Sequence, residues 1–105
     1  MNILQLFSKF RKEPTAKDYI DFLLDKENDL GGRDDAAMDL YKFDEPEVVI
    51  ALVKVATDSS EEDIIIDSAG ESLREIWNRN GISPPENIIN KMNPEAKKFF
   101  TNESI

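Results

Sequence analysis

The side chains in this sequence that could do chemistry are carboxylates. Aspartate and glutamate supply 22 of the 105 residues, while histidine and cysteine are both absent. The commonest general base, the thiol nucleophile and the usual transition-metal ligands are therefore all missing. The acids cluster as Asp34-Asp35, Asp44-Glu45 and Glu61-Glu62-Asp63, with Asp63, Asp67 and Glu71 recurring every fourth residue. Such clusters suit three chemistries. They could hold Ca²⁺ or Mg²⁺, but the alternate spacing and central glycine of a calcium-binding loop are lacking. Two of them could do glycosidic acid–base work, which needs carboxyls held about 5–10 Å apart across a cleft. Acids make up a fifth of the chain, so close pairs arise without any cleft. The third chemistry is recognition of a cationic surface. No phosphate-binding glycine loop, dinucleotide fingerprint, zinc helix or nucleophile elbow occurs. The chain is accordingly not expected to be an enzyme, and no catalytic residue, metal ligand or cofactor is expected.

The charge is uneven. From Asp34 to Glu71 there are 12 acids against two bases, Lys42 and Lys54, giving −10; the remainder has 10 acids and 11 bases, giving +1. A fold that shows this segment on one side presents an anionic surface, which attracts basic proteins and repels nucleic acid. The composition, 40% hydrophobic and 33% charged, is that of one ordinary globular domain. The expected division is N-terminal helices over 1–31, a core over 32–100 and a frayed tail over 101–105. Lys9, Arg11 and Lys12 follow the short apolar stretch at the start instead of preceding it, so no secretory leader is expected. No apolar run approaches the roughly 20 residues of a bilayer span. A cysteine-free chain suits a reducing compartment. A monomeric cytoplasmic protein with neither nucleic acid nor membrane as partner is expected.

The elements that must position the acids all read as helical. Ile3, Leu6, Phe7 and Phe10 mark a short amphipathic helix, read as a cap on the body in preference to a membrane-surface helix. Thr15 and Asp18 open a second helix, with Tyr19, Ile20, Phe22, Leu23 and Leu24 as its stripe, ending near Lys26. Asn28 to Gly32 reads as a loop. Ala36, Ala37, Leu40 and Phe43 mark a third helix that begins near Arg33. Asp44, Pro46 and Glu47 have the spacing of a capping box for a fourth, about Glu45 to Ala56. That segment is valine-rich enough to suit a strand, but its length and start signal favour a helix buried on nearly all sides. Asp58, Ser59 or Ser60 caps a fifth, with Glu61, Glu62 and Asp63 in its first turn, which Gly81 ends. Short helices follow from Pro85-Glu86 and Pro94-Glu95, and the compact stack is expected to comprise about six helices. On this reading the three acid clusters lie at helix starts, where capping and the helix dipole account for them. Asp39, Asp67 and Glu71 are mid-helix and need another account. Trp77 is expected in the core; Tyr41, beside the inward stripe, is a candidate contact.

Ala36, Leu40 and Phe43 recur 33 residues later as Ala69, Leu73 and Ile76, and Pro46-Glu47, Val49, Ile50 and Val53 recur 39 later as Pro85-Glu86, Ile88, Ile89 and Met92. Arg33-x-x-Ala36-Ala37-x-x-Leu40, Pro46-Glu47-Val48, Ala51-Leu52 and Val55-Ala56-x-Asp58, with Ala69 and Leu73 beyond, resemble HEAT-type repeats over about residues 32–100. The Ile64-Ile65-Ile66 run and the missing second-helix arginines depart from that pattern. The resemblance implies an all-α stack of antiparallel hairpins that serves as a binding scaffold, with no catalytic residues to carry over. By the 33-residue spacing, Asp34 and Asp67 fall at equivalent places on neighbouring helices, so their acidic ridges are expected side by side.

In size and character the chain also resembles the small immunity proteins that bacteria pair with polymorphic or contact-dependent inhibition toxins. That resemblance is of type and carries no residues over. It implies a basic partner, a cognate toxin domain of nuclease kind, met through Asp34, Asp35, Asp39, Tyr41, Asp63, Asp67 and Glu71. An adaptor holding a peptide or protein in a HEAT-like groove is the alternative, and a carboxylate or metal-dependent enzyme the third.

Overall fold

A computed structural model describes residues 3–8 and 13–101. Among them there are seven α-helices and no strand: α1 (Ile3–Ser8), α2 (Ala16–Leu24), α3 (Leu30–Asp39), α4 (Pro46–Ala56), α5 (Asp63–Arg79), α6 (Glu86–Ile89) and α7 (Pro94–Lys97). A 3-10 turn, Leu40–Lys42, prolongs α3. Phe10, Lys9, Arg11 and Lys12, and the tail expected to fray from Asn102, lie outside the described residues.

Local chemistry sets the helix starts, in two places against expectation. At α2 the Thr15 hydroxyl accepts from the Asp18 amide while the Asp18 carboxylate accepts from the Thr15 amide at 2.8 Å, a reciprocal cap. For α3, Asp29 accepts from the Gly32 amide at 2.8 Å, so Gly31 and Gly32 form its first turn and are not loop. A Cβ on Gly32 would sit 2.8 Å from the Phe22 ring, which explains the small residue where α2 and α3 meet. The earlier start moves Asp34 and Asp35 into mid-helix, where dipole complementation no longer accounts for them. At α4, Glu45 occupies the cap position and makes no side-chain bond. Asp44, expected as that cap, is drawn away by Arg79 at 2.7 Å and Asn80 at 2.9 Å.

The valine-rich stretch is helical. Val48, Ala51, Leu52, Val55 and Ala56 are buried, but Ile50 is 67% exposed, so α4 keeps one open side and is not surrounded. Asp58 does not cap α5 either; Glu62 holds that position without a side-chain bond. Glu61 leaves the helix start altogether to meet Arg33 in the interior.

The core runs through Leu23, Ala36, Ala37, Leu40, Leu52, Ile65, Ile66, Ala69, Leu73 and Ile76. Trp77 belongs to it and meets the Phe100 ring edge-on, centroids 5.5 Å apart. Helix α2 turns through residues 25–29 to pack on α3, and α4 turns through 57–62 to pack on α5. Helices α3 and α5 lie side by side and run the same way, since partners across them keep a nearly constant offset. Ser68 meets Asp34, Ser72 donates to the Ala37 carbonyl at 2.6 Å, and Arg79 meets Asp44, at separations of 34 to 35 residues. Helix α7 crosses α5 where Gly70 meets Ala96, and α1 rests on α2 and α3 with Ile3 buried. Asn93 ties the far end to the middle: its amide donates to the Ala56 carbonyl at 2.9 Å, and its side chain to the carbonyls of Ala56 and Asp58. No helix among the described residues is long and apolar enough to cross a membrane.

A candidate acidic groove

The side-by-side course of α3 and α5 leaves a furrow between their outward faces. The inward face of α3 is taken by Ala36, Ala37 and Leu40, so Met38 and Tyr41 are turned out, 50% and 40% exposed. On α5, Leu73, Ile76 and Trp77 go inward, and Ser68, Glu71, Ser72 and Glu75 line the opening. Together these six residues enclose a groove of about 390 Å³. Its floor is already satisfied: the Ser72 hydroxyl donates to the Ala37 carbonyl at 2.6 Å and the Ser68 hydroxyl to the Asp34 carboxylate. With those protons committed, the groove presents acceptors.

The expected contact residues divide. Tyr41 and Glu71 line the groove, and Asp34 adjoins it through Ser68. Asp35 is exposed on α3. Asp39 is paired with Lys42 at 3.5 Å. Asp63 is exposed in the first turn of α5. Asp67 is bridged by Lys98, just beyond α7, at 2.9 Å. Hydrogen bonds donated to Asp67 and then to Glu95 hold the Lys98 ammonium above its ordinary value, so it stays charged. The ridge Asp63–Asp67–Glu71 is therefore split, with Asp67 compensated by the chain itself and Glu71 turned to the groove. Arg74, next to the ridge, sits over the Phe99 ring at 4.9 Å.

The sequence reading missed Met38, Ser68, Ser72 and Glu75. A signal for two of them was present: Glu75 continues the four-residue spacing past Glu71, and Met38 stands three before Tyr41. Among the described residues, no cation pairs with Asp35, Glu71 or Glu75.

The acidic segment does not all share one face. Asp44 is engaged by Arg79, Asp58 by Lys26 at 3.1 Å, and Glu61 is buried. Glu45 and Glu47 border a second hollow of about 470 Å³ between α2 and α4, with Thr15, Ile20 and the Lys17–Asp21 pair. Among the described residues no three acids converge as a metal site would require. No protein-family model, curated protein or solved structure matches this chain.

Proposed function

We propose that this chain is a binding protein that neutralises a basic protein, acting as the immunity partner of a toxin domain of nuclease kind in the cytoplasm. The observation that carries this reading is the α3/α5 groove, where uncompensated Glu71 and Glu75 stand beside exposed Met38 and Tyr41. A nuclease cleft is cationic because it holds phosphates. Carboxylates fixed on a helix can occupy such a cleft, while an adjacent aromatic supplies the slow-dissociating contact. The net charge of −9 steers a basic partner towards the molecule. Exposed Asp35 on α3 and Asp63 on α5 extend the negative field, while Asp39 and Asp67, internally paired, contribute little. In this reading residues 32–100 serve as a HEAT-like scaffold for this surface.

The test is co-expression with the product of the adjacent reading frame. A basic protein is expected to co-purify, with association slowing steeply as salt shortens the electrostatic range. Reversing both groove charges (Glu71→Lys with Glu75→Lys) should weaken that complex by about a hundredfold or more, each lost charge contact being worth about 1.5–3 kcal/mol. A complex indifferent to the double reversal sinks the proposal.

A second reading has its own observation. Ile50 is 67% exposed on α4, and Ile20 lines the hollow between α2 and α4. An adaptor gripping an apolar peptide there would bind with weak salt dependence and lose its ligand on Ile50→Asp.

A further inference from the structure

We infer that the α3/α5 groove is shaped for the guanidinium of an arginine presented by a basic protein, and discriminates against a lysine ammonium. The inference rests on the reading of this groove as the contact surface and specifies what it contacts. Three observations combine. First, the floor hydroxyls of Ser68 and Ser72 have spent their protons on Asp34 and the Ala37 carbonyl, so the groove asks for a ligand rich in donors. Second, among the described residues the neighbouring cations are engaged elsewhere. Lys42, beside Tyr41, is held by Asp39; Lys98 is held by Asp67 and Glu95; Arg74 lies over Phe99. Glu71 and Glu75 thus keep a double charge with no ion-pair partner among the described residues, in an amphipathic furrow open to an incoming cation.

Third, the spacing favours one cation over the other. Glu71 and Glu75 stand one helical turn apart on α5, about 5–6 Å between Cβ atoms. A planar guanidinium carries five donors in a fixed fork and can address two carboxylates at once, whereas an ammonium acts as a point charge on one at a time. The opposite wall supplies a Tyr41 ring, 40% exposed, and the Met38 side chain. A weakly hydrated guanidinium stacks on such an aromatic face, while a strongly hydrated ammonium keeps its water.

The experiment is an NMR titration of the full chain with oligo-arginine and oligo-lysine peptides of equal length, read at the Met38 methyl, the Tyr41 ring and the Ser68 and Ser72 amides. The arginine peptide is expected to shift these signals and to bind about tenfold tighter than the lysine peptide. Tyr41→Leu should abolish most of that preference, weakening the arginine peptide far more than the lysine peptide; far-UV circular dichroism checks that the variant folds. Glu71→Gln and Glu75→Gln should each weaken the arginine peptide more than the lysine peptide. Equal binding of both peptides in the groove overturns the arginine inference but leaves the neutralisation reading intact. Shifts centred on Glu45 and Glu47, or none at all, overturn it as well. Loss of the neutralisation reading is recognised separately, by a co-purified partner that tolerates the double charge reversal.

Discussion

Arg33 and Glu61, 28 residues apart, form a two-pronged ion pair at 3.0 and 2.6 Å, with both side chains about 5% exposed or less. The Arg33 Nε donates to the Leu23 carbonyl at 2.8 Å, so this one guanidinium joins the end of α2, the body of α3 and the turn before α5. A buried pair of this kind adds little net stability over apolar replacements of similar size, yet removing one partner strands the other's charge. Glu61→Gln should therefore cost about 3–5 kcal/mol in urea unfolding. The double replacement Arg33→Met with Glu61→Leu should recover most of that loss; if it proved as unstable as the single variant, the pair would be contributing more than mutual neutralisation. From sequence, Glu61 was indistinguishable from its neighbours Glu62 and Asp63, because only Arg33, brought close by the fold, sets it apart.

Two glycines show how individual helices are constrained. On α5, a Cβ at Gly70 would lie 2.7 Å from the Cα of Ala96 and 3.0 Å from its carbonyl oxygen, which is backbone and cannot swing aside. Alanine there would gain about 1 kcal/mol of helix propensity but force α7 outward, for a net loss of about 1–3 kcal/mol. At Gly81 nothing lies within 4 Å, but φ is +65°, so alanine should cost about 1–2 kcal/mol through backbone conformation alone. Near-UV circular dichroism separates the two: Gly70→Ala should perturb the Trp77 signal through Phe100, and Gly81→Ala should lower the unfolding midpoint with that signal intact. What could be read at this scale was local. The Thr15–Asp18 cap, the helical period of the valine-rich stretch and the inward place of Trp77 are all decided by residues within a few positions. The start of α3 was hidden because two glycines resemble a loop until Asp29 is seen to cap them. Asp44 resembled a helix cap because its actual partner, Arg79, is 35 residues away.

For the molecule as a whole, two electrostatic effects oppose each other as pH falls. The excess of acids repels itself at neutrality, so early protonation relieves strain on the compact state. Against this stand carboxyls that the fold holds ionised. Burial pushes the Glu61 carboxyl up, but hydrogen bonds from Arg33 and the Glu62 amide outweigh it and leave it below its ordinary 4.5. The Ser60 hydroxyl and amide, and then Lys26, hold Asp58 at about 2 against an ordinary 3.8. A carboxyl lowered by folding contributes stability that is whole above its unfolded value and vanishes as pH drops through the folded one. Urea midpoints should thus stay level or rise from pH 7 to about 5, then fall below about 4.5 and keep falling towards 2. In Asp58→Asn the decline between 3.8 and 2 should flatten; an unchanged slope would remove Asp58 from the account. The charge imbalance that suggested a basic partner was legible in the sequence, but its distribution was not. Whether an acid meets a cation or solvent depends on contacts such as Asp67 with Lys98 that span 31 residues.

The clamp made by Asn93 bears on how the chain comes to be folded during synthesis. The carbonyls of Ala56 and Asp58 receive their donor from a residue made long after them, and Ala96, against Gly70, and Phe100, against Trp77, complete the packing later still. A nascent chain emerging amino end first therefore carries the hairpin of α4 and α5 with an unsealed side until nearly all of its described residues have left the ribosome. Closure of that side therefore waits on α7 and the residues just beyond it.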